Sequence, residues 1–166
     1  MVTVLVIMGN VGSGKTTVAK ELSKEGFTYL GIDMFYPKER EAEWYKDRKF
    51  LSDTYGLLFA EAEQQIKAGK NIVLESTGAP QEFRKGLKKL EEIPRARLVR
   101  FFLNVPIMIC KKILQLRKST SRENVPLKWV SYVAKRLREI DIKYDFKLDG
   151  KRPTKEIVKE ILELTI

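Results

Sequence analysis

Val2-Thr3-Val4-Leu5-Val6-Ile7-Met8-Gly9-Asn10-Val11-Gly12-Ser13-Gly14-Lys15-Thr16-Thr17 changes pattern twice in sixteen residues. The first seven are apolar or β-branched, which reads as a strand buried on both faces of a parallel sheet. Gly9 to Thr16 fits G-x-x-x-x-G-K-[ST] at every fixed position, the spacing of a phosphate-cradling P-loop. Val18-Ala19-Lys20-Glu21-Leu22 then reads as the first turns of a helix, with Val18 and Leu22 facing inward. The chemistry follows from the order strand, glycine loop, helix. Glycines let the backbone N–H groups of Gly9, Asn10, Val11, Gly12, Ser13 and Gly14 curl around phosphate oxygens. The start of the helix at Lys15, Thr16 and Thr17 adds a partial positive charge. Lys15 is expected to reach the β- and γ-phosphates and Thr16 to ligate Mg²⁺. ATP and Mg²⁺ are the expected cofactors.

Outward from this loop, apolar runs alternate with longer amphipathic stretches, which predicts α/β layering. Strands are expected near 2–8, 27–32, 71–76, 97–104 and 145–149. Helices are expected near 15–25, 38–68 (broken around Ser52-Asp53), 81–91, 106–118, 126–143 and 154–164. Pro80, Pro106, Pro126 and Pro153 each fall at or near a helix start, where a missing N–H costs nothing. The expected architecture is a three-layer α/β/α P-loop fold with a five-stranded parallel sheet. Ligands of such sheets bind at the carboxyl ends of the strands. With 166 residues, a single domain over 1–166 accounts for the chain.

Composition narrows the chemistry. The chain has no histidine, so acid–base work falls to carboxylate, Lys, Tyr or Cys. The single cysteine, Cys110, excludes an internal disulfide and sits among Ile109, Ile113 and Leu114 as a buried thiol. No apolar run has the length of a membrane span. The first residues lack the basic flank and cleavage site of a signal peptide, so the expectation is a cytoplasmic protein. The net charge of +10 is uneven. Residues 1–83 carry 10 basic and 12 acidic side chains, whereas residues 84–166 carry 22 and 10. That half is either a solvated basic surface or a funnel for polyanions, a nucleoside triphosphate or a nucleic-acid backbone.

Asp33 and Glu75 are the carboxylates expected to act. Asp33 closes the run Phe27-Thr28-Tyr29-Leu30-Gly31-Ile32, at the same sheet edge as the P-loop. It either takes a proton from, or binds, an acceptor hydroxyl, or caps the next helix. Glu75 ends Asn71-Ile72-Val73-Leu74 in the manner of a Walker B strand. It is a candidate metal or substrate ligand, with a lysine pair as the alternative. Ser76 and Thr77 follow with hydroxyls available to substrate, and Arg84 points back toward the cleft or lies on the surface. Arg117, Lys118 and Arg122 flank Ser119-Thr120-Ser121, expected as a lid over 117–126 or as a plain helical connection. Phe35, Tyr36, Trp44, Tyr45, Phe50, Tyr55 and Phe59 crowd the segment after Asp33 and read mainly as core. A substrate subdomain is expected there, about residues 34–70. Trp129, Val130, Val133 and Leu137 read as a core-facing stripe.

On these residues the chain resembles the small P-loop kinases built like adenylate and shikimate kinases. It is closer to the branch holding polynucleotide 5′-hydroxyl kinases, chloramphenicol phosphotransferase and zeta-type toxins. The resemblance covers nearly the whole chain in outline. In that branch an Asp just after the second strand receives the acceptor hydroxyl, and Gly31-Ile32-Asp33-Met34-Phe35 is similar to that element. Leu116-Arg117 and Arg122 are similar to the lid arginines. Asp149-Gly150-Lys151-Arg152-Pro153 resembles the loop beside adenine, which makes Arg152 a candidate nucleotide contact. Glu75-Ser76-Thr77-Gly78-Ala79-Pro80 departs from the D-G-[FY]-P-R run of adenylate kinases. The resemblance thus implies an ATP-dependent kinase with a hydroxyl acceptor, small molecule or nucleoside, in a monomer or dimer. A polynucleotide 5′-hydroxyl acceptor is one alternative, and a nucleotide switch or ATPase without acceptor is another.

Overall fold

The computed structural model of the chain describes residues 1–37, 47–118 and 125–166. Five strands form one sheet: β1 (Val2–Gly9), β2 (Thr28–Leu30), β3 (Ile72–Ser76), β4 (Ala96–Asn104) and β5 (Phe146–Asp149). Every pairing is parallel, in the order β2-β3-β1-β4-β5. Parallel strands need crossovers, and helices supply them. These are α1 (Lys15–Ser23), α2 (Arg48–Lys67), α3 (Gln81–Glu91), α4 (Ile107–Lys118), α5 (Lys128–Glu139) and α6 (Thr154–Thr165).

The period-two rule of strands sorts side chains into the two outer layers. Leu5 and Ile7 of β1, Val73 of β3 and Val99, Phe101 and Leu103 of β4 pack against α1 and α6. Val4, Val6 and Met8, with Ile72 and Leu74, pack on the other face with Tyr55, Leu58, Phe83 and Leu87 of α2 and α3. Phe83 and Phe101 have no exposed surface, and burial of side chains this size contributes about 1.5–3 kcal/mol each. A third, smaller cluster joins α4 to α5 through Val105, Cys110, Leu114 and Val130, with Val11 of the glycine loop against it.

Several expected boundaries move. α2 runs without a break from Arg48 to Lys67, because Ser52 and Asp53 lie on its solvent side. Its start is fixed by Asp47, whose side chain accepts the Phe50 N–H at 3.0 Å. The expected portion over 38–46, with Trp44 and Tyr45, lies outside the described residues. β2 stops at Leu30 and the chain turns through a 3-10 segment, Ile32–Met34, so Asp33 stands beyond the strand and not in it. α5 ends at Glu139, where Ile140 turns extended.

Candidate active site

Register carries all five strand ends to one edge. Met8 lies beside Ser76, Leu30 beside Leu74, Gly9 beside Leu103 and Asn104 beside Asp149. The glycine loop, the Asp33 turn, the Ser76–Pro80 loop and the turn after β5 therefore share that edge. This is where a parallel sheet binds ligands.

The loop keeps some of its donors and uses others. The Val11 N–H donates to Asn10 Oδ1 at 2.7 Å and the Ser13 N–H to the Asn10 carbonyl at 3.1 Å, so these two expected phosphate contacts are occupied within the loop. Gly14 opens α1 without any side-chain cap, so the first N–H groups of the helix point outward. Ser13 is buried, and among the described residues its hydroxyl has no hydrogen-bond partner. Gly12 holds φ +79, and a Cβ there would stand 2.7 Å from the Cys110 carbonyl oxygen. Lys15 is 8% exposed, and its ammonium donates to the Asn10 carbonyl at 2.8 Å. Burial pulls its pKa below 10.5; Glu75 opposes the shift, and the Arg117 charge adds to it. An orphaned hydroxyl, an uncapped helix start and a buried ammonium together fit a polyphosphate.

Glu75 follows Val73 on the α1 face of β3, one residue before the strand ends. There it meets the first turn of α1: Thr16 Oγ1 donates to Glu75 Oε1 at 2.7 Å. Tyr29 Oη donates to the same oxygen at 3.0 Å. Burial first, then the Glu75 charge, raises the Tyr29 pKa well above 10.0, so the phenol stays a donor. Tyr29 Oη and Asp33 Oδ1 flank Gly31, at 2.1 and 2.6 Å from where its Cβ would be. Thr16, Glu75, Tyr29 and Asp33 thus form a row of oxygens beside the phosphate loop. Two hard donors in contact, Thr16 and Glu75, suit Mg²⁺ that keeps its remaining positions for water and phosphate. Among the described residues no group of three or more His, Cys, Asp or Glu side chains is gathered to hold a metal alone.

A cleft of about 600 Å³ reaches the glycine loop at Val11 and the loop after β3 at Thr77, and is lined by Arg84, Trp129, Tyr132 and Arg136 among others. Trp129 and Tyr132 meet edge to face, 5.0 Å between ring centres. Arg84 donates to the carbonyls of Gly78 at 3.1 Å and Ala79 at 2.5 Å, which fixes the loop while its charge stays at the cleft wall. Thr77 Oγ1 accepts from the Ala79 N–H at 3.2 Å and lines the cleft. Ser76 is on the opposite face of β3 from Glu75, buried and within hydrogen-bonding reach of Tyr55. Its hydroxyl also accepts the Gly78 N–H at 3.1 Å.

Other sequence candidates are dispersed. Thr17 is exposed in the first turn of α1. Arg117 is the penultimate residue of α4, half-buried and within electrostatic reach of Lys15. Arg122, Ser119, Thr120 and Ser121 lie outside the described residues. Arg152 pairs with Glu160 of α6 and with the Asp149 carbonyl, which anchors the turn after β5. Tyr29, Trp129, Tyr132 and Arg136 were missed by the sequence reading. Trp129 belongs to the cleft wall, while Val130 and Val133 alone are buried from that stripe. The spacing of Trp129, Tyr132 and Arg136, i, i+3 and i+7, was the available signal. Asn10 is expected to offer only its backbone N–H to phosphate, yet its Nδ2 donates to the Val130 carbonyl at 3.0 Å.

A phosphate loop on the first strand of an all-parallel β2-β3-β1-β4-β5 sheet defines the P-loop kinase fold. The chain belongs to the family described as AAA domain, whose model matches residues 4–140. A comparison with curated proteins gives no match. Among solved structures, a sugar kinase from Janibacter sp. is similar at 19% identity and TM-score 0.74, with 98% of this chain and 94% of that chain covered. Shikimate kinase from Acinetobacter baumannii, in complex with shikimate, gives 16% identity, TM-score 0.67 and coverage of 99% and 92%. A chain of the Pnkp1/Rnl/Hen1 RNA repair complex gives 17% and 0.70, over 88% of this chain and 47% of that one. At these identities the likeness is one of fold. No helix among the described residues is long and apolar enough to cross a membrane.

Proposed function

We propose that the chain is an ATP-dependent phosphotransferase that moves the γ-phosphoryl group to a hydroxyl of an acceptor held in the cleft. One observation carries this reading. The Lys15–Thr16 loop and the Glu75–Tyr29–Asp33 row meet at one sheet edge, and the cleft reaches that edge at Val11 and Thr77. The activities named for two structural neighbours, a sugar kinase and a shikimate kinase, point the same way.

The loop N–H groups and Lys15 hold the triphosphate, and the Lys15 ammonium exchanges its Asn10 carbonyl for a phosphate oxygen. Magnesium, held by Thr16 with Glu75, would neutralise charge on the β- and γ-phosphates. Asp33 orients the acceptor hydroxyl and takes its proton as the oxygen attacks phosphorus. The new O–P bond forms as the bridging β,γ bond breaks and ADP leaves. With no histidine in the chain, the exposed Asp33 carboxylate is the base best situated for this. Arg117 and Arg122 add positive charge as the transferring group loosens from ADP. Such a site works chiefly by positioning and charge neutralisation.

The test is a screen with γ-labelled ATP and Mg²⁺ across sugars, small hydroxy acids, nucleosides and 5′-hydroxyl oligonucleotides. Label is expected in one acceptor class, and Lys15→Ala is expected to abolish the transfer while circular dichroism is unchanged. ATP hydrolysis unaffected by every acceptor would favour an ATPase instead.

A further inference from the structure

The acceptor cleft does not end at Arg84. Arg84 and Gln81 also line a second cavity of about 450 Å³, between α3, β4 and the segment joining α5 to β5. Its floor is apolar, with Met8, Leu87 and Ile142, and its rim is basic. Lys85 and Lys88 come from α3 and Lys143 from the segment before β5. All three are exposed, and among the described residues none has a carboxylate within ion-pair distance. Arg100 also lines the groove but is paired with Glu91 and lies 3.9 Å from Asp145, so its charge is largely spent. Asp141 is the remaining acid of the rim. The groove is thus lined by Arg84 and three lysines against one uncommitted carboxylate.

We propose that the acceptor carries phosphate at a distance from the hydroxyl it offers, and that this groove binds that phosphate. The inference rests on the kinase reading for the word acceptor, but the groove is an anion site whether or not transfer occurs. Its placement argues for a substrate group and not for bulk counter-ions, because Arg84 makes one wall shared by the cleft and the groove. Spacing adds to the case. Arg84 and Lys88 are one helical turn apart, about 6 Å along the axis. Successive phosphates of a nucleic-acid strand are held apart by the sugar between them, a separation of the same order as one helical turn, so two cations on this wall can each take one phosphate. A phosphate monoester would instead occupy the lysine cluster alone. Phosphate is the shared chemistry, and it comes either from a compact phosphate ester or from a phosphodiester chain.

The experiment measures equilibrium binding to the whole protein, with a non-hydrolysable ATP analogue and Mg²⁺ present. The probes are a nucleoside, its 3′-monophosphate and a labelled 5′-hydroxyl oligonucleotide, with a sugar and its phosphate ester as a second pair. Each is compared between the wild type and K85Q/K88Q/K143Q at several salt concentrations. The proposal expects each phosphate-bearing probe to bind about tenfold or more tighter than its phosphate-free partner at low salt. The triple variant should erase that advantage while leaving affinity for the ATP analogue unchanged. Affinity that grows with the number of phosphates, with a salt slope reduced by about 0.7 for each lost contact, identifies a chain. Equal binding of monophosphate and oligonucleotide identifies a compact ester. Phosphate that confers no advantage, or an advantage that survives the triple substitution, overturns the proposal. Binding without transfer to any acceptor would refute the kinase reading and leave the groove standing, so the two failures are separable.

Discussion

Gly12 and Gly14 offer a controlled contrast inside one loop. Both lie in the left-handed region, at φ +79 and +87. A Cβ on Gly14 meets nothing within 4 Å, whereas one on Gly12 stands 2.7 Å from the Cys110 carbonyl oxygen and 3.3 Å from Leu114 Cγ. Placing alanine at either site incurs the left-handed penalty of about 1–2 kcal/mol. Reduced freedom of the unfolded chain offsets about 0.4–1 kcal/mol of it. Those contributions are common to both variants and cancel in the comparison. The remaining difference is the contact of Gly12 with the backbone of α4, which cannot turn aside as a side-chain tip would. Overpacking of this kind costs about 1–3 kcal/mol. For a chain of this size, about 2–4 °C of Tm accompanies each kcal/mol, so Gly12→Ala should melt roughly 2–12 °C below Gly14→Ala. Thermal unfolding without nucleotide, followed by circular dichroism, measures this. Equal melting temperatures would refute the claim that α4 presses on the loop at Gly12.

Three further outcomes follow from the site. Asp33→Asn should slow acceptor phosphorylation by about 10²-fold or more while the ATP dissociation constant holds, since the amide keeps size but loses basicity; equal loss of both would make Asp33 a structural turn residue. Tyr29→Phe removes one of the two hydrogen bonds to Glu75 Oε1. It should raise the Mg²⁺ concentration needed for tight nucleotide binding severalfold, at a stability cost of about 1 kcal/mol; isothermal titration at graded Mg²⁺ reads it, and an unchanged requirement would sever Tyr29 from the metal site. Burial raises the Cys110 thiol above its ordinary 9.0, with Lys15 acting against the shift. The unfolded thiol then ionises before the folded one, so this contribution to stability is complete below pH 9.0 and is lost as pH rises. Cys110→Ala should remove that part of the alkaline slope in urea titrations, and in the wild type iodoacetamide should react only as fast as the protein opens.

The layers and the phosphate loop were readable because local pattern decides them. The run Val2–Met8 contains no polar residue but Thr3, and such a strand needs helices on both faces. Phe83, Leu87 and Leu90 repeat at helical spacing, and all three are buried in α3. The break expected at Ser52-Asp53 was misplaced because Asp47, the residue that caps α2, sits within a long polar stretch that offers several equivalent acids. Period two assigns Tyr29 to the α1 face correctly, but its bond to Glu75 spans two strands and 46 positions of sequence. Trp129 was misassigned for a related reason. α5 buries Val130 against α4 and the glycine loop, not against the sheet, and this turns its aromatic flank toward the cleft. Nothing local distinguishes those two partners.

One amide group connects the glycine loop to the far wall of the cleft. Asn10 belongs to the loop that cradles the triphosphate, and its side chain donates to the Val130 carbonyl on α5, 120 positions away. Trp129 and Tyr132, on either side of Val130 in that helix, form an aromatic wall of the cleft. On the proposed reaction, acceptor breadth would therefore be partly written in the nucleotide loop. A change at position 10 would slacken the wall and admit bulkier alcohols, although no atom of that residue need touch them. Directed evolution toward new acceptors would find this lever outside the pocket it reshapes, in a motif usually left untouched.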